Sequence, residues 1–267
     1  MDSFGRMKGL QVEYFWKQQD DIPKGMGYPL FGTAHLISVA VTLFCVVIIC
    51  ICFIRWEREK QNHFLKSIPI IMAVLELSKD LFLIAVHRFG VGYLPLHICS
   101  IGIFVFLLRE YLPYEKAKRF FGEIAYILIM PASLVALFDA DWTYLYPVWN
   151  FINLHSYVWH GLLILYSVLL RLRGEVSPTI RHIHWVLLFL CLIIPPVYVF
   201  DKIFNCNYFF INWPIPNSPL SLLAAHMGNP GYLIGYAILT ILVILGMYGF
   251  IWLTERLIGK RQYNRKR

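Results

Sequence analysis

Charge is scarce in this chain. Only 15% of its residues are Asp, Glu, Lys or Arg, whereas 58% are apolar and 16% aromatic. Soluble domains carry about 25% charged residues, and their apolar runs stop short of the roughly 20 residues that cross a bilayer. The scarcity argues against one or two ordinary soluble domains in the 267 residues. Disulfide-bearing cysteine is also lacking. Five of the six cysteines (Cys45, Cys50, Cys52, Cys99, Cys191) fall inside apolar runs and only Cys206 lies outside. No disulfide framework is implied, and a Cys99–Cys206 bridge near one face is the pairing left open. The first 33 residues mix Asp2, Arg6, Lys8 and Glu13 with aromatics and have no apolar core, so no cleavable signal peptide is read there. Also missing are a GxSxG elbow, an HExxH pair, a P-loop and a dinucleotide-binding glycine motif. With them go the most recognisable hydrolase, zinc-protease and nucleotide-binding signatures. Internal repeats and low-complexity tracts do not occur.

What is present is a series of apolar runs. The sequence predicts an all-α membrane protein, a bundle of seven transmembrane helices over 34–54, 64–86, 93–112, 121–139, 149–171, 182–204 and 229–254. Each run is close to the length a spanning helix needs. An isolated span must satisfy its own backbone in lipid, and the alternation of a membrane β-barrel is absent.

The positive charges orient the bundle. Of 24 Lys and Arg residues, seventeen collect in the 55–66, 109–119 and 171–181 loops and the tail, against six on the other side and Lys79 within a span. Positive residues concentrate on the cytosolic side. The expectation is therefore an extracytoplasmic segment 1–33, a transmembrane domain 34–254 and a basic cytosolic tail 255–267, in a multi-pass protein of the cell membrane. The net charge of +8 is spread over short inter-span clusters, which fits topology and anionic headgroups better than nucleic acid. Membrane lipids are the expected partners, with no nucleic acid and no cofactor, and self-association is left open. The connection 205–228 is apolar yet broken by Pro214, Pro216 and Pro219, and is read as a lid at the outer interface.

Ionisable groups inside spans cost about 2.5 kcal/mol or more each near the bilayer centre, so they mark functional sites or helix-binding pairs. The second span holds Glu76, Lys79 and Asp80, whose spacing puts them on one face with Lys79 able to pair with Glu76. The third opens with Pro95, His97, Cys99 and Ser100, and the fifth carries Asn150, Asn153, His155, Ser156, Tyr157 and His160. His35 begins the first span and Asp201 ends the sixth. Five residues separate His155 from His160, about 140° around a helix, which argues against a shared metal. The HIH run at 182–184 suits an interfacial anchor better than a metal site. Counted from the outer boundary, Asp80, His97 and His155 lie at similar depth, roughly 6–9 Å in at ~1.5 Å per residue. Three spans thus bring ionisable groups to one level beneath the proline-broken loop.

That level suggests chemistry. Histidine beside a carboxylate can act as general base and a thiol as nucleophile. His155 is the better partner for Cys99, because His97 and Cys99 point apart on a helix. His155, His97, Cys99 and Asp80 are the candidate catalytic residues, and Glu76, Lys79, His35, Asn153, Asn207 and Tyr208 the candidate binding residues, with no metal ligands. Against a seven-helix receptor, the seventh span has no lysine for retinal, and Asn229-Pro230-Gly231-Tyr232 sits at its outer end.

The stretches PLFGTAHLISV at 29–39, LELSKD at 75–80, YLPLHICSIG at 93–102, NLHSYVWH at 153–160 and NYFFINWPIPNSPL at 207–220 resemble the YwaF-like family of bacterial integral membrane proteins. Its distant eukaryotic relative is transmembrane protein 164. The resemblance implies a multi-span helical fold and, from that relative, phospholipid acyl transfer through an acyl-cysteine and histidines. The relative's Pro-Cys-His motif corresponds here to Pro95, Leu96 and His97, so leucine stands at the nucleophile position. The partner histidine corresponds to His155, and Cys99 lies one turn beyond Leu96. The leading expectation is a lipid-directed acyltransferase or hydrolase with a histidine-based site near the outer leaflet. The alternative is a carrier or binding protein for a small ligand that uses Glu76, Lys79 and Asp80.

Overall fold

Long apolar runs become long helices, and no strand occurs among the described residues. A computed structural model describes residues 12–216 and 218–265, with side chains to 257. The helices are α1 (Thr33–Phe53), α2 (Arg58–Ala85), α3 (Ile98–Tyr111), α4 (Glu115–Ile124), α5 (Met130–Phe138), α6 (Phe151–Leu172), α7 (Ile183–Phe204), α8 (Pro219–Met227) and α9 (Tyr232–Arg265). A π-helical segment, Ala125–Ile129, joins α4 to α5. Pro131 follows it after Met130. Proline has no N–H to donate, and a π-bulge is one way a helix absorbs such a break.

Four stretches are long and apolar enough to cross a bilayer: Thr33–Phe53, Glu115–Tyr144, Ile180–Phe204 and Tyr232–Leu257. On their outer faces Phe44, Val47, Leu192, Val199, Ile238 and Leu242 stand exposed. Apolar surface on that scale needs lipid or a partner to cover it. This is a multi-pass membrane protein.

The other three predicted spans have a different character. The 14 residues of α3 reach only about 21 Å, less than the ~30 Å hydrocarbon core. Helix α2 interrupts its apolar run with Glu76, Lys79 and Asp80, and α6 carries Asn153, His155 and His160. Helix α6 is the hub, packed against α1, α2, α5 and the π segment. Its buried residues include Asn153, His155, Tyr157, Tyr166 and Ser167, polar groups that a lipid-facing helix would not carry. At Gly102 of α3 an added Cβ would stand 2.6 Å from the Leu163 Cδ2 of α6, so a side chain there would have to push the end of Leu163 aside.

Several boundaries move. The third helix begins at Ile98 rather than 93, because Pro95 keeps Leu94 out of helical conformation, the chain turns tightly there with the Leu96 N–H donating to the Leu94 carbonyl at 2.8 Å, and His97 precedes the helix with ψ 152°. The fourth begins at Glu115, ahead of the expected 121. The 205–228 connection is partly helical, with a 3-10 turn at Tyr208–Phe210 and α8 capped by the Ser218 side chain. The backbone expected to form a separate tail from 255 continues α9 to Arg265. All six cysteines are free thiols, so Cys99 and Cys206 are not bridged. Of the segments named from sequence, residues 1–11, Asn217 and 266–267 lie outside the described residues.

The described part of the amino-terminal segment is a folded cap. Asn150, the N-cap of α6, donates from Nδ2 to the carbonyls of Tyr14 at 2.7 Å and Lys17 at 2.8 Å. The Gln18 amide donates to the Tyr93 hydroxyl at 3.0 Å, and the Tyr28 N–H to the Thr143 carbonyl at 2.8 Å. Gly27 lies so close that an added Cβ would stand 2.3 Å from the Tyr144 carbonyl oxygen. The cap therefore holds the α5–α6 loop and the start of α6 together.

Candidate functional site

The polar residues of α2 form one linked group. Lys79 Nζ donates to Glu76 Oε1 at 2.6 Å and lies 3.5 Å from Asp80 Oδ1. It also reaches the Tyr93 carbonyl at 3.4 Å, which ties α2 to the chain entering α3. Glu76 is buried and Lys79 largely so. An ion pair so withdrawn from water is held by mutual attraction and by its hydrogen bonds.

Two histidines come from the segments that pack against α2. Because Pro95 delays α3, His97 projects from extended chain and packs edge-on to Tyr208, ring centroids 4.9 Å apart, with Phe210 at 5.4 Å. The Tyr208 N–H donates to Asp201 Oδ1 at 3.0 Å and its hydroxyl to the Val91 carbonyl at 2.6 Å. The 205–228 connection thus presses an anchored tyrosine onto His97. On α6, the His155 ring stacks on Trp159 at 5.5 Å and lies against the Leu75 backbone of α2. It is 8% exposed, and its Nε2 is buried with no hydrogen-bond partner among the described residues. Lys79 and His160 both lie within electrostatic reach of His97 and of His155. His160 is held by the Ser156 carbonyl at 2.7 Å from Nδ1 and by stacking on Trp142 at 5.5 Å.

The remaining candidates divide cleanly. Asp80 stays next to Lys79, with Oδ1 buried and lacking a hydrogen bond. The Cys99 thiol lies near the Ser133 hydroxyl, which itself donates to the Ile129 carbonyl at 2.8 Å. His35 uses both nitrogens, 3.0 Å from the Phe31 N–H and 2.9 Å from the Leu137 carbonyl, so it joins α1 to α5. Asn153 accepts from the Tyr28 hydroxyl at 2.9 Å and Trp142 Nε1 at 3.1 Å, and donates to the Val148 carbonyl at 2.8 Å. Asn207 accepts from the N–H groups of Asn212 and Trp213 at 3.1 and 3.0 Å. These three are committed to fastening the fold. Burial raises the Tyr28 phenol above its ordinary value and likewise the Cys206 thiol.

The TMEM164 family model matches residues 30–248. The chain belongs to the TMEM164 family. The match takes in every candidate residue from His35 to Tyr208 and leaves the Tyr28 cap outside. No curated protein and no solved structure matches the chain.

Two features escaped the sequence reading. Tyr93 and Trp142 help build this level through a backbone carbonyl and a stacked ring, and aromatic residues in an aromatic-rich chain give no signal of that. A cavity of about 740 Å³ also lies elsewhere, where α2, α3, α4 and the α6–α7 loop converge. Its trace in the sequence is the set Glu110, Glu115, Glu123 and Glu175, carboxylates placed within otherwise basic or apolar stretches.

Proposed function

We propose that the protein is a lipid-directed enzyme of acyl transfer or ester hydrolysis, with His155 as its general base. The observation that carries the reading is the buried, unpartnered Nε2 of His155 beside the Lys79–Glu76 pair. An unsatisfied polar atom in an apolar interior costs about 1–3 kcal/mol, a cost that a reacting hydroxyl would relieve. In the step envisaged, His155 takes the proton of an attacking lipid hydroxyl or water as its oxygen bonds to the ester carbonyl carbon. Lys79 supplies positive charge near the oxyanion that forms. Collapse breaks the bond to the leaving alcohol, and the imidazolium returns the proton to that oxygen. His97 borders the same space beneath Tyr208. No covalent cysteine is needed, which suits leucine at position 96.

The reading extends to topology. Seven helices cross the membrane, with the short α3 and polar α2 and α6 shielded inside, the amino terminus outside and the carboxyl terminus cytosolic in the cell membrane. The uneven distribution of Lys and Arg supports this orientation. The bacterial YwaF-like branch is the proposed place within the wider family, on the strength of the five stretches quoted above.

The test is turnover by the purified protein in lipid of a phospholipid carrying a labelled acyl chain. Release or transfer of the label, lost in His155→Ala, is expected. Flux of a small ligand across proteoliposomes without turnover would favour the carrier reading and overturn this one.

A further inference from the structure

The cavity of about 740 Å³ is lined by both signs of charge, and the pairing within it decides what is left over. Glu110 accepts from Arg109 and from the Tyr166 hydroxyl at 2.6 Å. Glu175 is bound by Arg109 and Arg173, and Glu115 by Lys118 at 2.9 Å. Glu123 accepts from the Tyr248 hydroxyl at 2.8 Å and faces His182 at 3.4 Å. Every carboxylate in the lining is thus engaged. The cations are not all matched. Lys66 and Arg119 border the cavity with no carboxylate bridge among the described residues. Arg109, only 5% exposed, presents a buried Nε that donates to nothing among them.

This cavity is separate from the histidine site. Thirteen helical positions divide Lys66 from Lys79, about 20 Å along α2, and twelve divide Arg109 from His97, about 18 Å. The lining is polar, unlike the largely apolar walls of most small-molecule sites. Uncommitted donors come from three different helices: α2, α3 and α4. A ligand that accepts from all three needs several oxygens on one centre, which phosphate has and a single carboxylate does not. The volume exceeds that of a bare ion and leaves room for an organic group.

We propose that this cavity binds a phosphate ester, held by Lys66, Arg119 and the free edge of Arg109. The phosphate belongs either to a lipid headgroup at the membrane surface or to a soluble ester. The paired carboxylates pin the Arg109 fork at the cavity wall. The site stands on its own observations and does not depend on the chemistry assigned to His155.

Calorimetric titration of the purified protein in detergent tests it, with inorganic phosphate, glycerol 3-phosphate and dihexanoyl phosphatidic acid as probes. Lys66→Gln combined with Arg119→Gln changes two exposed side chains, and an unchanged melting midpoint verifies its fold. Saturable binding of at least one probe, weakened at least about tenfold in the double variant, is expected for the loss of charge-assisted hydrogen bonds. Binding of phosphatidic acid alone assigns the phosphate to a lipid, and binding of glycerol 3-phosphate to a soluble ester. No saturable binding by any probe, or equal binding by the double variant, overturns the proposal.

Discussion

The Tyr28 hydroxyl donates to Asn153 Oδ1 at 2.9 Å, joining residues 125 positions apart. Asn153 sits two residues before His155, so the bond fixes the start of α6 to the amino-terminal cap. Trp142 Nε1 donates to the same oxygen, and Trp142 in turn stacks on His160. Removing the amide in Asn153→Ala leaves the Trp142 N–H and the Val148 carbonyl without partners and the Tyr28 hydroxyl with Tyr157 alone. The expected loss is about 2 kcal/mol or more, read as a lowered melting midpoint of the protein in detergent. An unchanged midpoint would mean that the cap does not brace α6.

The same bond predicts a pH dependence. Burial raises the Tyr28 phenol above its usual value, which is near 10 in the unfolded chain. The folded chain keeps this proton where the unfolded chain loses it. The resulting stability is complete below about pH 10 and declines as pH rises toward the folded value. Other tyrosines titrate as well, so the quantity to follow is the difference in melting midpoint between the protein and Tyr28→Phe. It shrinks across this alkaline window. A difference that stays constant would contradict the burial argument.

Glu76 and Lys79 predict an asymmetry between single and double variants. Lys79→Met leaves a buried carboxylate with its main partner gone, a loss of up to about 3 kcal/mol. Adding Glu76→Leu removes the stranded charge and restores much of the stability, because an apolar pair can replace a buried ion pair. Melting midpoints of the two singles and the double decide this. Strictly additive losses would show that the pair is not coupled.

Cys99→Ala keeps turnover within about twofold, less than 0.5 kcal/mol of barrier, since the thiol takes no part in the proposed step. Labelled-lipid turnover measures it. A loss of a hundredfold would restore a thiol nucleophile.

How much of this was legible in the sequence depends on what each signal measures. Hydropathy reports what faces lipid, and it placed α1 and α7 within a few residues of their observed ends, whereas α9 runs on past the expected 254 to Arg265. It says less about α2 and α6, whose polar residues are shielded by neighbouring helices. It also cannot see that Pro95 delays α3, which turns His97 from a helical residue into one on extended chain beneath Tyr208. Counting from the span ends gave Asp80, His97 and His155 an expected common depth. The neighbours of each ring were not readable that way, because rotation of packed helices sets them. Thus Cys99, expected beside His155, lies near Ser133, while His35 and Asn153, expected to bind substrate, make hydrogen bonds that fasten helices. The polar cavity was invisible because four chain segments, distant in sequence, build it together.

The rate of acyl release from a labelled phospholipid, compared between the protein and His155→Gln in the same reconstituted bilayer, tests the central claim most directly. The account predicts turnover by the unaltered chain and a fall of about a hundredfold or more in the variant, with an unchanged melting midpoint. Equal rates in the two, or no turnover by the unaltered chain, would contradict it.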